Sequence, residues 1–195
     1  MINDNLGINF PKNLNQILEI TKKMNFTALC EEKTGVLLRL LASTKPGGQF
    51  LEIGTGTGVS TCWIIDGMNE ESVLETVEIN EENQSVAKRF LGERNNVEFY
   101  LEDASNFIMK IEKKYDFVFA DSFPGKFNLK EKVLESINVG GYYIIDDLVP
   151  QVNWPDDDHP IKVRDLIRDL ENDKRFQILK LNWASGIIVC VRKDN

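Results

Sequence analysis

An α/β fold, a mostly parallel sheet with helices on both faces, is predicted by three features of the sequence. The apolar period switches repeatedly between about 3.6 residues and short β-branched or aromatic runs. Several of those runs end on an acid, as at Asp121 and at Asp146-Asp147. The last two runs, Phe176 to Trp183 and Gly186 to Val191, are separated only by Ala184-Ser185, so a tight connection makes them an antiparallel pair.

Taken in order, residues 13 to 24 and 28 to 42 have helical spacing. Leu37, Leu38, Leu40 and Leu41 form a wide apolar side on the second helix before Lys45-Pro46-Gly47-Gly48 breaks the chain. Gln49 to Ile53 is the first strand, Val59 to Met68 a helix, Ser72 to Ile79 the second strand and Glu81 to Arg94 a helix. Val97 to Leu101 follows as a strand, Ala104 to Glu112 as a short helix, and Tyr115 to Ala120 as a nearly all-apolar central strand ending at Asp121. Leu129 to Ser136 is helical, Gly140-Gly141 is read as a turn, and Tyr142 to Ile145 is the fifth strand. After a Pro- and Asp-rich loop from Val149 to Pro160, Val163, Leu166, Ile167 and Leu170 mark one face of a last helix.

With 42% apolar residues in 195, the chain can bury roughly 70% of its unfolded surface around one core, and no linker or repeat marks a second domain. No run approaches the eighteen or so apolar residues of a membrane span, and MINDNLGINF does not read as a signal peptide, so a cytoplasmic location is expected. Cys30, Cys62 and Cys190 are far apart in apolar surroundings and are expected to be buried thiols. A net charge of −8 repels phosphate backbones, which favours a small-molecule partner over nucleic acid. Lys110, Lys113 and Lys114 are either a local basic patch or a solvated helix end. Residues 1 to 45 are apolar enough to cover a cofactor as a lid or to pair two subunits as a homodimer.

The loop Glu52-Ile53-Gly54-Thr55-Gly56-Thr57-Gly58 runs from the first strand into a helix, with Ser60 in its first turn. Backbone N–H groups gathered there, with no Cβ in the way, make a cradle for a nucleotide-like cofactor. In dinucleotide enzymes the third glycine falls one position later, where this chain has Val59, so the spacing argues against a nicotinamide cofactor. Glu78, with Ile79 beside it, ends the second strand 20 residues after Gly58, where a carboxylate can take both hydroxyls of a ribose. Asp103-Ala104 follows the third strand; Asp103 is a cofactor contact or simply the N-cap of the next helix.

From about Glu31 to Arg192 this order and spacing resembles the class I methyltransferases, whose Rossmann-like sheet has seven strands with an antiparallel last one. The resemblance implies S-adenosylmethionine as cofactor, with Gly54 and Gly56 at its methionine part, Glu78 at the ribose and Asp103 at the adenine amino group.

Asp121, Asp146 and Asp147 end the fourth and fifth strands, where such sheets bind their ligands. Three converging carboxylates need a cation or protons, and oxygen donors suit Mg²⁺, which could acidify and orient a substrate hydroxyl. Phe117-Val118-Phe119-Ala120-Asp121 and Ile144-Ile145-Asp146-Asp147-Leu148 resemble the cation-dependent O-methyltransferases of the catechol and caffeoyl-CoA type. The resemblance implies a divalent metal on Asp121, Asp146 and Asp147, Asp121 beside the cofactor, and a small hydroxylated, catecholic acceptor.

Two departures stand out. The family's Asn is Asp147 here, and its catalytic lysine falls on Pro124, with Lys126 two residues later as the candidate replacement. Lys126 is either catalytic or a solvated loop residue. His159, the one histidine, is either a base or ligand or a solvated residue of the Asp156-Asp157-Asp158-His159-Pro160 loop, and Trp154 and Pro155 wall the acceptor or tether the surface. An RNA- or protein-directed methyltransferase, and a cofactor-binding protein without turnover, are the rival expectations.

Overall fold

The computed structural model describes residues 9–151, 154 and 158–194. Residues 1–8 of the expected lid segment, and Pro155, Asp156 and Asp157 of the acidic loop, lie outside the described residues.

Seven strands form one sheet: β1 (Gln49–Ile53), β2 (Val73–Glu78), β3 (Val97–Leu101), β4 (Tyr115–Ala120), β5 (Ile137–Ile145), β6 (Phe176–Leu181) and β7 (Ile187–Arg192). Their order is β3-β2-β1-β4-β5-β7-β6. Neighbours from β3 through β5 pair parallel, while β7 is antiparallel to both β5 and β6. This is the Rossmann-like arrangement expected.

Around the sheet lie α1 (Leu14–Lys23), α2 (Glu32–Ser43), α3 (Val59–Gly67), α4 (Glu81–Leu91), α5 (Ala104–Met109), α6 (Phe123–Lys126), α7 (Lys130–Glu135) and α8 (His159–Asn172). The period of two along each strand sorts its side chains between two cores. Phe50, Leu74, Phe117, Phe119 and Ile144 pack under α1 to α4, whereas Leu51, Ile53, Val77, Val118, Tyr143 and Ile145 pack under α5, α7 and α8. Each such fully buried side chain stabilises the fold by about 1.5–3 kcal/mol. Local chemistry agrees with the packing at α4: Asn80 caps it by accepting from Asn83 N at 3.0 Å, with Glu81 and Glu82 in its first turn and Lys88 and Arg89 in its last.

Three expectations need correction. Gly140-Gly141 is not a turn between elements, because β5 begins at Ile137 and runs through the pair. Between Tyr115↔Ile137 and Phe117↔Tyr142 the register shifts, so the glycines form a bulge, with Gly140 at φ 76°. Asp116 pins it, accepting from Asn138 Nδ2 at 2.8 Å and from Gln49 N at 2.9 Å. The second helix starts at Glu32 rather than 28, which leaves residues 26–31 free to cross the top of the sheet. The loop before the last helix ends at Asp158, so His159 and Pro160 open α8.

The sheet order reverses between β1 and β4, and a crevice opens outside the carboxyl ends of these two strands. All three cysteines are buried free thiols. Lys110 and Lys113 pair with Glu102 and Glu75 at 2.7 and 2.8 Å, and Lys114 donates to Glu135 O, so the three lysines serve three separate contacts rather than one patch. Among the described residues no helix is long and apolar enough to cross a membrane.

Candidate active site

A cavity of about 490 Å³ fills the crevice. The loop after β1 forms one wall. Gly54 N and Thr55 N donate to Val77 O at 3.0 and 3.1 Å, which bends the chain across the end of β2. A Cβ on Gly54 would stand 2.8 Å from Asp121 O, so only glycine lets the ends of β1 and β4 meet this closely. Glu78 binds the loop from the other side: Oε2 accepts from Gly56 N at 2.8 Å, and Oε1 from Ile79 N and Asn80 N, both at 2.9 Å.

Beneath the loop, Glu52 is fully buried. Its Oε2 accepts from Thr61 and Thr76 at 2.5 and 2.6 Å, and the Thr76 hydroxyl lies 2.6 Å from that of Thr55. Burial pushes the Glu52 carboxyl up to about 7, against the pull of these hydrogen bonds. Glu52 is thus the foundation of the loop rather than part of the cavity wall. Thr57 ties the loop to α1, its hydroxyl accepting from that of Thr21 at 2.8 Å.

Asp121, Asp146, Asp147, Lys126 and His159 line the same cavity. Burial raises the proton affinity of Asp121, the Asp146 carboxylate raises it further, and Lys126 opposes both. Asp146 is raised by burial as well, although Ser185 Oγ and Asp147 N, the latter at 2.8 Å, donate to its Oδ1. Ser185 comes from the connection between β6 and β7, so the last hairpin of the sheet completes the site.

Lys126 is not a solvated loop residue: it is 4% exposed. Phe123–Lys126 is a single kinked turn, with Pro124 extended at ψ 139° and Gly125 at φ 85°. A Cβ on Gly125 would meet Ile53 Cδ1 at 2.6 Å, and Tyr143 Oη donates to Gly125 O. This turn presses against the sheet and seats Lys126 in the lining of the cavity.

His159 is also buried, at 2% exposure, with its ring centroid 5.6, 5.2 and 4.4 Å from those of Phe123, Phe127 and Trp154. Trp154 donates through Nε1 to Asp147 Oδ1 at 2.8 Å, and His159 Nε2 lies 3.9 Å from Asp147 Oδ2. Trp154 thus backs His159 and Asp147, which line the cavity, without lining it itself. Asp147 itself takes a left-handed φ of 63°, a sparsely populated conformation for a non-glycine residue.

Of the expected cofactor residues, Gly54, Thr55, Gly56, Thr57, Ser60, Glu78 and Asp121 line the cavity. Gly58 starts α3 and packs against Ala87. Ile79 is 68% exposed, and Asp103 caps α5, accepting from Ser105 N at 2.7 Å, with Ala104 as the helix's first residue. The strip Phe26 to Glu31, with Phe123, Phe127 and Ser185, joins the site without having been singled out from sequence.

The expected Mg²⁺ centre does not fit this arrangement. Among the described residues no three His, Cys, Asp or Glu side chains are grouped to hold a metal ion. Asp146 Oδ1 is committed to Ser185 and the Asp147 amide, and Asp147 Oδ1 to Trp154. Lys126 lines the same cavity, and its charge lowers the proton affinity of Asp121 and Asp146 against the larger effect of burial.

The antiparallel β7 sets this sheet apart from those of the dinucleotide-binding dehydrogenases and defines a methyltransferase-type α/β fold. The chain belongs to the O-methyltransferase family, whose model matches residues 7–193, and it is a methyltransferase. A curated relative from Mycolicibacterium smegmatis, named by inference as an O-methyltransferase, is 26% identical over 170 residues, 81% of this chain and 80% of that protein. The crystal structure of an O-methyltransferase from Bacillus cereus in complex with SAH is 24% identical and superposes with a TM-score of 0.84, over 97% of this chain and 94% of that one. TomG from Streptomyces achromogenes, involved in tomaymycin synthesis and solved with SAM, is 19% identical with a TM-score of 0.84, over 97% and 93%.

Proposed function

We propose that the chain transfers the methyl group of S-adenosylmethionine to a hydroxyl of a small molecule. The observation that carries this reading is one cavity with two chemically different walls: the glycine loop with Glu78 on one side, and buried acids with Lys126 and His159 on the other.

The cofactor's fit rests on the loop. The Cβ-free approach at Gly54, and a Glu78 carboxylate fixed by three backbone N–H groups, leave a shaped, partly polar recess. Gly54, Thr55, Gly56, Thr57 and Ser60 would hold it, with Glu78 taking the ribose hydroxyls and the strip Phe26 to Glu31 as the cover. When bound, S-adenosylmethionine supplies an electrophilic methyl on sulfur.

The chain's own residues do the rest. Asp121, at the end of β4 with its carboxyl pushed up to about 7 by burial, suits a base working near neutrality and receives the acceptor's hydroxyl proton, with the buried Asp146 beside it at the end of β5. His159, Phe123 and Phe127 give a planar acceptor an apolar face and keep water from it, with Trp154 backing the His159 ring. The 3.9 Å between His159 Nε2 and Asp147 Oδ2 keeps that ring in register with the acids.

Isothermal titration with S-adenosylhomocysteine, with NAD as control, tests the reading. Micromolar binding of the first and none of the second is expected; no binding of S-adenosylhomocysteine would sink the proposal.

A further inference from the structure

Lys126 is a cation whose environment its own fold does not explain. The side chain is buried and opens into the cavity, yet among the described residues its ammonium has no hydrogen bond or ion pair within 4.0 Å; its close neighbour is the face of Phe127, 5.6 Å from the ring centroid. A charge taken out of water without a directed partner costs several kcal/mol. The fold nevertheless holds it there with some care, through Gly125 against Ile53 and the Tyr143 hydroxyl on Gly125 O. Such a group is set to receive an oxygen from a ligand.

Asp121 and Asp146 supply the second observation. Both line the cavity with Lys126, and one oxygen each of Asp146 and Asp147 is already engaged, by Ser185 with the Asp147 amide and by Trp154 respectively. Charge compensation at the acids is thus built from the chain itself.

We propose that Lys126 stands in place of a divalent cation: its ammonium binds one acceptor oxygen and balances Asp121 and Asp146, so that methyl transfer needs no metal and no vicinal pair of hydroxyls. A divalent ion accepts two neighbouring oxygens as a chelate, whereas a compact ammonium is a single point of charge. The acceptor is therefore a compound with one reactive hydroxyl on a planar ring. Its oxygen forms the bond to the methyl carbon as the carbon–sulfur electron pair withdraws onto sulfur; its proton goes to the Asp121 carboxylate, and Lys126 stays protonated throughout. The inference rests on the methyl-transfer reading.

The test is a Mn²⁺ titration of the metal-stripped full chain, saturated with S-adenosylhomocysteine and read by water-proton relaxation, on wild type, Lys126→Met and Lys126→Arg. Wild type and Lys126→Arg are expected to bind Mn²⁺ only in the millimolar range, and Lys126→Met at least about tenfold more tightly, because its carboxylates have lost their cation. Micromolar Mn²⁺ binding by wild type overturns the inference, and so does a Lys126→Met variant no tighter than wild type. Thermal melts establish that each variant is folded, with Lys126→Gln as the substitute if the methionine is not tolerated. A chelator that abolishes methylation of any acceptor, with Mg²⁺ restoring it, also overturns the inference. Failure of the S-adenosylhomocysteine titration would instead remove the reading beneath it.

Discussion

Glu78 Oε2 accepts a hydrogen bond from Gly56 N at 2.8 Å, which joins the end of β2 to the apex of the glycine loop. Two further amides, Ile79 N and Asn80 N, complete the hold on this carboxylate. Hydrogen bonds to a charged group are worth about 1.5–3 kcal/mol each. Glu78→Ala is therefore expected to weaken S-adenosylhomocysteine binding by about 100-fold in a calorimetric titration, through both the missing carboxylate and a loosened loop. An affinity within threefold of wild type would show that the acid has no part in cofactor binding.

Gly54→Ala and Gly140→Ala should behave differently although both glycines have positive φ. At Gly54 the new Cβ meets Asp121 O at 2.8 Å, whereas at Gly140 nothing lies within 4 Å. Gly140→Ala is expected to cost about 1 kcal/mol of stability in denaturant unfolding and leave cofactor affinity alone. Gly54→Ala is expected to cost about 1–3 kcal/mol and to abolish cofactor binding, since it forces apart the two strands that form the site.

Tyr143→Phe removes the hydroxyl that donates to Gly125 O inside the core. A buried carbonyl left without its donor costs about 1–3 kcal/mol. For a chain of this size a melting temperature lower by about 2–4 °C per kcal/mol follows. Because Gly125 seats Lys126, kcat should fall while the affinity for S-adenosylhomocysteine stays unchanged. Loss of both in parallel would place the tyrosine's role in the whole fold and not in the turn.

Glu52 makes stability depend on pH. In the folded chain it keeps its proton up to about pH 7, whereas the unfolded chain releases it near the ordinary value of 4.5. The folded state thus holds the extra proton between those limits, so this contribution is complete below about pH 4.5 and is lost as pH rises through 7, roughly 3 kcal/mol in all. Glu52→Gln keeps an oxygen for Thr61 and Thr76, which donate to the same atom, and removes the titration. Urea midpoints at pH 5 and pH 8 should differ less in the variant than in wild type; an equal difference would assign the slope to other groups.

The strands were legible in the sequence because nearly all of them are short apolar runs with a clear end, as at Ile53, Glu78 and Asp121. β5 was the exception: two glycines read as a turn, and only the pairing of Tyr115 with Ile137 shows that the backbone bulges and continues. The loop residues and strand-end acids were legible for the same reason, since position after a strand fixes where a side chain goes. Lys126 was not, because its burial depends on Gly125 meeting Ile53 and on Tyr143, neither of which is a neighbour in sequence. His159 was hidden by its acidic surroundings, although Pro160 beside it is a helix-start signal and α8 begins there.

The contact between Thr57 and Thr21 has a thermodynamic consequence. One hydroxyl belongs to the loop that would hold the cofactor and the other to α1. Free energy shared between two elements is reciprocal, so whatever orders the loop must also steady the helix, to the same extent that steadying the helix tightens the loop. Amide exchange in α1 would then report cofactor occupancy from outside the cavity, and any molecule that settles on α1 would act as an effector without touching the acceptor.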